Sequence, residues 1–248
     1  MTFISSKKFY GFILFLFFSI NINAQIFDGL RLGGGIGKSI YWGTQMDFVF
    51  STNTYGKSEL NNGYNFQIYK TINRTSEIGF RYLNTELWSF KSKNTLALNA
   101  HVDEFSIIYQ YSLNNNIDLS SSPVTINLVA GLGLITFKSI FYSINSPNDF
   151  SAIYSSVGYG NEIGDASTKK EPNKVTAIEG IAGINLGVRL FPNLSLYLEN
   201  SFTLSGSNKI TGNLLTNSSI PANGYTYHAL SLYLNFGNQK GKIRCPRF

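Results

Sequence analysis

From residue 30 onward the sequence repeats one pattern eight times: about ten residues in which apolar and polar side chains alternate, then a turn or loop. Period two puts successive side chains on opposite faces of an extended backbone, so each run reads as a strand with two chemically different faces. In the first, Leu30, Leu32, Ile36 and Ile40 oppose Arg31, Gly33, Gly35, Gly37 and Ser39. The second sets Tyr64, Phe66, Ile68 and Ile72 against Asn65, Gln67, Tyr69 and Thr71, and the third Ile78, Phe80 and Tyr82 against Glu77, Gly79 and Arg81. Later strands follow the same rule around Phe105–Tyr111, Thr125–Phe137, Ile184–Leu190, Leu194–Leu204 and Leu230–Phe236. No segment carries a convincing helical period. The chain is therefore all-β, and eight up-and-down strands predict an antiparallel barrel.

The N-terminus belongs to a different object. Lys7 and Lys8 precede the apolar block Phe9–Ile20, and Asn21-Ile22-Asn23-Ala24 supplies a small residue before Gln25. This is the order of a secretory signal peptide, too short for a stop-transfer helix. The expected organisation is a signal peptide over 1–24, a barrel over 25–237 and a short basic tail over 238–248. With Cys245 as the only cysteine, no intrachain disulfide and no Cys-based metal site can form. Beyond the signal, no apolar run reaches the ~18 residues a helix needs to span a bilayer.

Connections alternate in length. Short ones lie at Asn73-Arg74-Thr75 and Pro192-Asn193, with a moderate one over 113–123. Long ones, rich in Ser, Asn, Gly and Thr, cover 43–63, 89–100, 139–174 and 205–223. Long loops thus gather at one end and short turns at the other.

A soluble lipocalin-like barrel would show the same alternation with its apolar face turned inward. Three observations favour the opposite orientation. The glycines share a face with the polar residues, where a narrow interior needs room for Tyr69, Tyr197 or Tyr233 from other strands. Charges fall on that same face: Arg31, Arg81, Glu104, Glu179, Arg189 and Glu199 form a polar interior plug, because an Arg or Lys on the lipid face at the bilayer midplane costs about 2–4 kcal/mol. Aromatics of the apolar phase collect at strand ends as interfacial girdles, Trp42, Tyr64 and Trp88 beside the long loops and Tyr111 and Phe236 beside the short turns. Lys38, Lys70, Glu86 and Lys138 sit towards strand ends, where long side chains can snorkel. Asn200, in mid-strand on the lipid face, has no explanation at this level.

An exported barrel with long external loops, short periplasmic turns and the final strand Tyr227-His228-Ala229-Leu230-Ser231-Leu232-Tyr233-Leu234-Asn235-Phe236 resembles the small outer-membrane barrels of the OmpA/OmpX superfamily. Within that group it resembles the PorT-like barrels in size, signal peptide and Gly-rich first strand. The resemblance covers roughly Gln25 to Gly237 and implies an outer-membrane location, contact with outer-membrane lipid and recognition of the last strand by the barrel-assembly machinery. The chain departs from many relatives by continuing past Phe236.

Motifs for other chemistry fail on inspection. Gly33-Gly34-Gly35-Ile36-Gly37-Lys38-Ser39 has Leu32 where a phosphate loop needs Gly, and no helix follows. Gly158-Tyr159-Gly160 lies in the longest loop and reads as a turn. Eight-stranded outer-membrane enzymes that modify lipid A use a histidine near the rim; here His228 and Ser231 differ by an odd number of positions and face opposite ways, which leaves His101 with Asp103 and Glu104 as the better candidate and a solvated rim histidine as the preferred reading. Two distant histidines make no metal site, and no cofactor is implied. The expected role is non-enzymatic, with loop aromatics Phe141, Tyr142, Phe150, Tyr154 and Tyr159 as candidate binding residues at the surface and a binding, envelope-structural or secretion and assembly function. A lipid-modifying enzyme and a soluble periplasmic ligand-binding barrel are the alternatives.

The formal net charge of +6 does not indicate a nucleic-acid partner. Lys7 and Lys8 leave with the signal, and Lys240, Lys242, Arg244 and Arg247 lie in the tail; removing those six from 20 basic residues leaves 14 against 14 acidic ones.

Overall fold

A computed structural model describes residues 29–43, 59–91, 96–114, 123–143, 152–160, 169–212, 214 and 223–236. The signal peptide, the tail and Phe150 lie outside the described residues. The strands are β1 (Leu30–Trp42), β2 (Asn61–Thr71), β3 (Ser76–Lys91), β4 (Leu96–Ser112), β5 (Val124–Ser143), β6 (Ala152–Val157), β7 (Lys169–Glu171), β8 (Val175–Phe191), β9 (Leu194–Ser205) and β10 (Asn223–Phe236). Eight of them close into a ring: β1 pairs β2 and β10, the order continues β3-β4 on one side and β9-β8 on the other, and β5 joins β4 to β8. Every pairing in the ring is antiparallel. The fold is an eight-stranded up-and-down β-barrel, and closure leaves the ring without an unpaired edge.

Register gives the barrel its tilt. From Ile36 the pairing runs through Tyr64, Asn84 and Asp103 to Thr136 on β5, and the other way through Leu230, Leu198 and Leu186 to Ile126 on the same strand. The circuit returns displaced by ten residues (136 minus 126), so the strands must incline to the barrel axis. A row of hydrogen-bonded partners therefore climbs towards the long loops as it runs from β8 through β9, β10, β1, β2, β3 and β4 to β5.

Outward-facing residues form an apolar belt. Ile36, Phe80, Ile107, Leu132, Ile178 and Leu230 are among 27 large hydrophobic side chains left exposed among the described residues, far more continuous apolar surface than a water-soluble monomer carries. This belt matches the apolar phase of the sequence on every ring strand, as a wall facing hydrocarbon requires. Above it, towards the long loops, the wall changes character. The next outward residues are Lys38, Asn62, Asn84, Asp103, Thr136 and Thr176, and they bond to one another: Lys38 Nζ donates to Asn62 Oδ1 at 2.6 Å, Asn84 Nδ2 to Asp103 Oδ1 at 2.7 Å, and the Thr136 and Thr176 hydroxyls lie 3.2 Å apart. At the same height the inner face becomes apolar, with Leu83, Leu87, Leu98, Val102 and Ile135 wholly buried. Where water replaces lipid outside, a barrel must carry its core inside, so the two faces exchange chemistry along single strands.

That exchange explains why the long connections are shorter than the alternation implied. The 89–100 loop is largely strand, since β3 runs to Lys91 and β4 starts at Leu96. The 139–174 loop loses Ser139–Ser143 to β5 and contains β6 and β7, which extend the sheet from the projecting end of β5. In both places apolar residues stand on either face and the period-two contrast fades.

Candidate functional site

The lumen is the feature the sequence singled out, and the structure fills it in layers. At the turn end the Arg31 guanidinium sits among three tyrosine rings, 4.8 Å from Tyr69, 5.0 Å from Tyr197 and 4.6 Å from Tyr233. Its Nη2 meets Glu77 Oε2 at 2.6 Å and Gln110 Oε1 at 2.8 Å, and Nη1 donates to Tyr197 Oη at 2.9 Å. The rings fit because glycines face them: a Cβ on Gly33 would stand 2.2 Å from Tyr233, on Gly79 2.2 Å from Tyr69, and on Gly187 2.4 Å from Tyr197. These are the three tyrosines for which the sequence pattern predicts room on the glycine face.

One layer up, Glu199 accepts from Asn65 at 2.7 Å, from Gln67 at 2.8 Å and from Tyr233. Higher again, Glu104 Oε1 accepts from Arg81 Nε at 2.7 Å and Ser106 Oγ at 2.9 Å and is ion-paired with Arg81 Nη2 at 2.7 Å, while Oε2 accepts from Tyr225 at 2.6 Å. Glu179 belongs to the plug, but neither of its buried oxygens has a partner among the described residues. Arg189 does not belong to it. The side chain is exposed at the turn-end mouth, where it lines a cavity of about 190 Å³ with Arg31, Glu77 and Gln110. It shares the lumen phase, but only two positions remain before β8 ends at Phe191, and at that height water reaches the interior.

The loop-end half of the lumen is closed by an apolar cluster rather than by charge. Tyr41, Leu83, Leu87, Leu98, Val102, Ile135, Phe137, Tyr225 and Tyr227 pack together, and Ile210 from the short 3-10 helix Asn208–Thr211 drops in from above. Ser207 caps that helix through Lys209 N, and Gly212, at φ +69°, ends it. Polar layers and apolar cluster together occupy the barrel from mouth to loop end, as an eight-stranded interior allows.

The expected surface residues divide. Phe141 and Tyr142 are not loop residues: both lie in β5, Phe141 packs into the loop-end core at 2% exposure, and Tyr142 accepts from Trp88 Nε1 at 2.8 Å. Tyr154 on β6 is exposed at 42%, beside Phe141 at 6.1 Å. Tyr159 sits in the turn between Gly158 (φ +79°) and Gly160 (φ +60°), under Lys138 Nζ at 5.0 Å, with its hydroxyl pushed up by burial and then by Glu86. Of the girdle aromatics, Tyr64 is exposed on the outer face next to Tyr82, while Trp42, Tyr111 and Phe236 are half-buried at strand ends. Trp88 is outward in phase but only 3% exposed, packed with Phe90, Ala97 and Tyr142 in a small core above the belt.

The rim histidine has no catalytic surroundings among the described residues. His101 Nδ1 lies 3.2 Å from Glu86 on the outer wall, Asp103 bonds to Tyr82 and Asn84, and Glu104 points into the lumen, so the three candidates are not one site. His228 faces outward and Ser231 inward, as their odd separation requires. The structure instead gives His228 a role the sequence missed: its Nδ1 lies 2.8 Å from Asn200 Oδ1, its direct partner across β9 and β10. Two polar groups on the lipid face thus satisfy each other. No cluster of metal-ligating side chains occurs among the described residues.

No family model and no curated protein matches the chain. Similar solved structures are small membrane barrels: Neisserial surface protein A (12% identity, TM-score 0.48), the attachment invasion locus protein Ail of Yersinia pestis (12%, 0.43) and the N-terminal β-barrel domain of Pseudomonas aeruginosa OprF (13%, 0.39). Each comparison covers 84% of this chain and 98% of the other.

Proposed function

We propose that the chain is an outer-membrane barrel protein without catalytic function, exported by a cleaved signal peptide, whose work is done by the wall and loops beyond the belt rather than by the lumen. The observation that carries this reading is the packing of the interior: buried Arg31, Arg81, Glu104 and Glu199 below and an apolar cluster above leave the lumen to structural roles. The ends of β3, β4 and β5 beyond the belt, with β6 and β7, build out the loop end. Rigid scaffolds commonly carry recognition on such extensions. The role is binding, envelope-structural or in secretion and assembly, the last being what the PorT-like resemblance implies, and outer-membrane lipid and the barrel-assembly machinery are its partners.

Cell fractionation with boiled and unboiled gel samples tests the location. The protein should sediment with the outer membrane and migrate differently before boiling; extraction without detergent would favour the soluble barrel instead. In planar bilayers the wild type should show no stable conductance, and a reproducible open channel would overturn the sealed-lumen reading. Lipid analysis of overexpressing cells tests the enzyme alternative, which requires an acyl-chain change lost in His101→Ala.

A further inference from the structure

On the outer face, a groove of about 1020 Å³ opens at the height where the wall changes from apolar to polar. Its lower wall is part of the belt: Ile36, Leu230 and Tyr64, each more than half exposed. Its upper wall is rich in side-chain amides, Asn61, Asn62, Asn84 and Asn99, with Trp88 beside them. An occupant that satisfies both walls must be amphipathic, since hydrocarbon bathes one and water the other.

The polar wall also says which head group fits. Its two charged residues cancel, and both are engaged, Lys38 with Asn62 and Glu86 with His101. There is no net positive charge to hold a bare phosphate. Asn62 Oδ1 is taken by Lys38 and Asn84 Nδ2 by Asp103, which leaves the Asn62 amide as a donor and the Asn84 carbonyl as an acceptor. Asn99 Oδ1 is buried with no donor among the described residues. A phosphate diester or phosphocholine head offers only acceptors and cannot supply one, whereas a sugar hydroxyl both donates and accepts. We infer that this groove binds a glycolipid of the surrounding leaflet, its sugar among the asparagines and an acyl chain along Ile36 and Leu230.

This inference rests on the membrane reading of the belt, and the test separates the two. The sequence has two tryptophans, so Trp42→Phe leaves Trp88, in the groove wall, as the only tryptophan reporter. The full barrel in amine-oxide micelles is titrated with dodecyl maltoside and with dodecylphosphocholine, which share a chain and differ in head. Maltoside should move the Trp88 emission saturably, with half-saturation about tenfold below phosphocholine, and Asn62→Ala with Asn84→Ala should erase most of that difference, because the two amides supply the hydrogen bonds that tell the heads apart. In the wild type, the side-chain amide resonances of Asn62 and Asn99 should shift with maltoside alone. Equal response to both heads, or unchanged selectivity in the asparagine variants, overturns the glycolipid site while leaving the barrel intact. A chain that stays soluble without detergent refutes the membrane reading, and the site with it.

Discussion

Replacing Glu104 by Gln tests the interior most directly. The side chain is fully buried and accepts from Arg81 Nε, Ser106 and Tyr225 at 2.6–2.9 Å, with Arg81 Nη2 ion-paired to it at 2.7 Å. Gln keeps the shape but removes the charge and turns one acceptor into a donor facing other donors. Arg81, 4% exposed, would lose its only counter-charge among the described residues and keep neutral acceptors alone, the amide oxygen and Ser201 Oγ at 3.2 Å. Breaking one side of a buried pair costs about 3–5 kcal/mol, roughly two to four orders of magnitude in the folding equilibrium. With a urea slope of about 1–3 kcal/mol per molar, the midpoint should fall by roughly 1–5 M. The assay is urea unfolding of the barrel in lipid vesicles, scored as the folded fraction by gel mobility. Removing both partners as Arg81→Met with Glu104→Leu should restore most of the loss, since a buried pair replaced by apolar groups of similar volume is often neutral. A midpoint for Glu104→Gln within experimental error of the parent would refute the low-dielectric plug and point to a hydrated lumen.

Glu179→Gln should be neutral or stabilising in the same assay, because its buried oxygens have no donor to lose. Gly33→Val should abolish most refolding, with Tyr233 2.2 Å from the added Cβ, whereas Gly34→Ala on the outer face, with its nearest atom 3.5 Å away, should refold like the parent. The exchange of faces predicts a depth-dependent cost outside: Ile107→Lys in the belt should cost about 2–4 kcal/mol and Thr136→Lys above it about 0–1 kcal/mol, both read from urea midpoints.

Much of the barrel was legible because period two survives wherever the two faces touch different media. Phe66, Gln67, Ile68 and Tyr69 alternate between exposed and buried as their residue types imply. The lumen charges were also legible, since a charge in the apolar phase would be costly and Arg31, Arg81, Glu104 and Glu199 avoid it. Phe141 and Tyr142 were not: they sit where both faces of β5 are packed, so local composition resembles an aromatic loop. Arg189 misled for the converse reason, because phase names a face but not a height.

Alternation along single strands thus determined by itself that this protein is all-β, which side chains point out, and that its glycines and charges line the interior. Alternation needs only neighbours in sequence. Register, tilt and closure belong to pairs of strands, and only the tertiary structure decided them. They bring Arg31 to Glu77, Glu104 to Tyr225 and Asn200 to His228, and they set the height at which lipid gives way to water. A residue's partner across the barrel depends on the ten-residue stagger of the whole ring, a quantity no single strand carries.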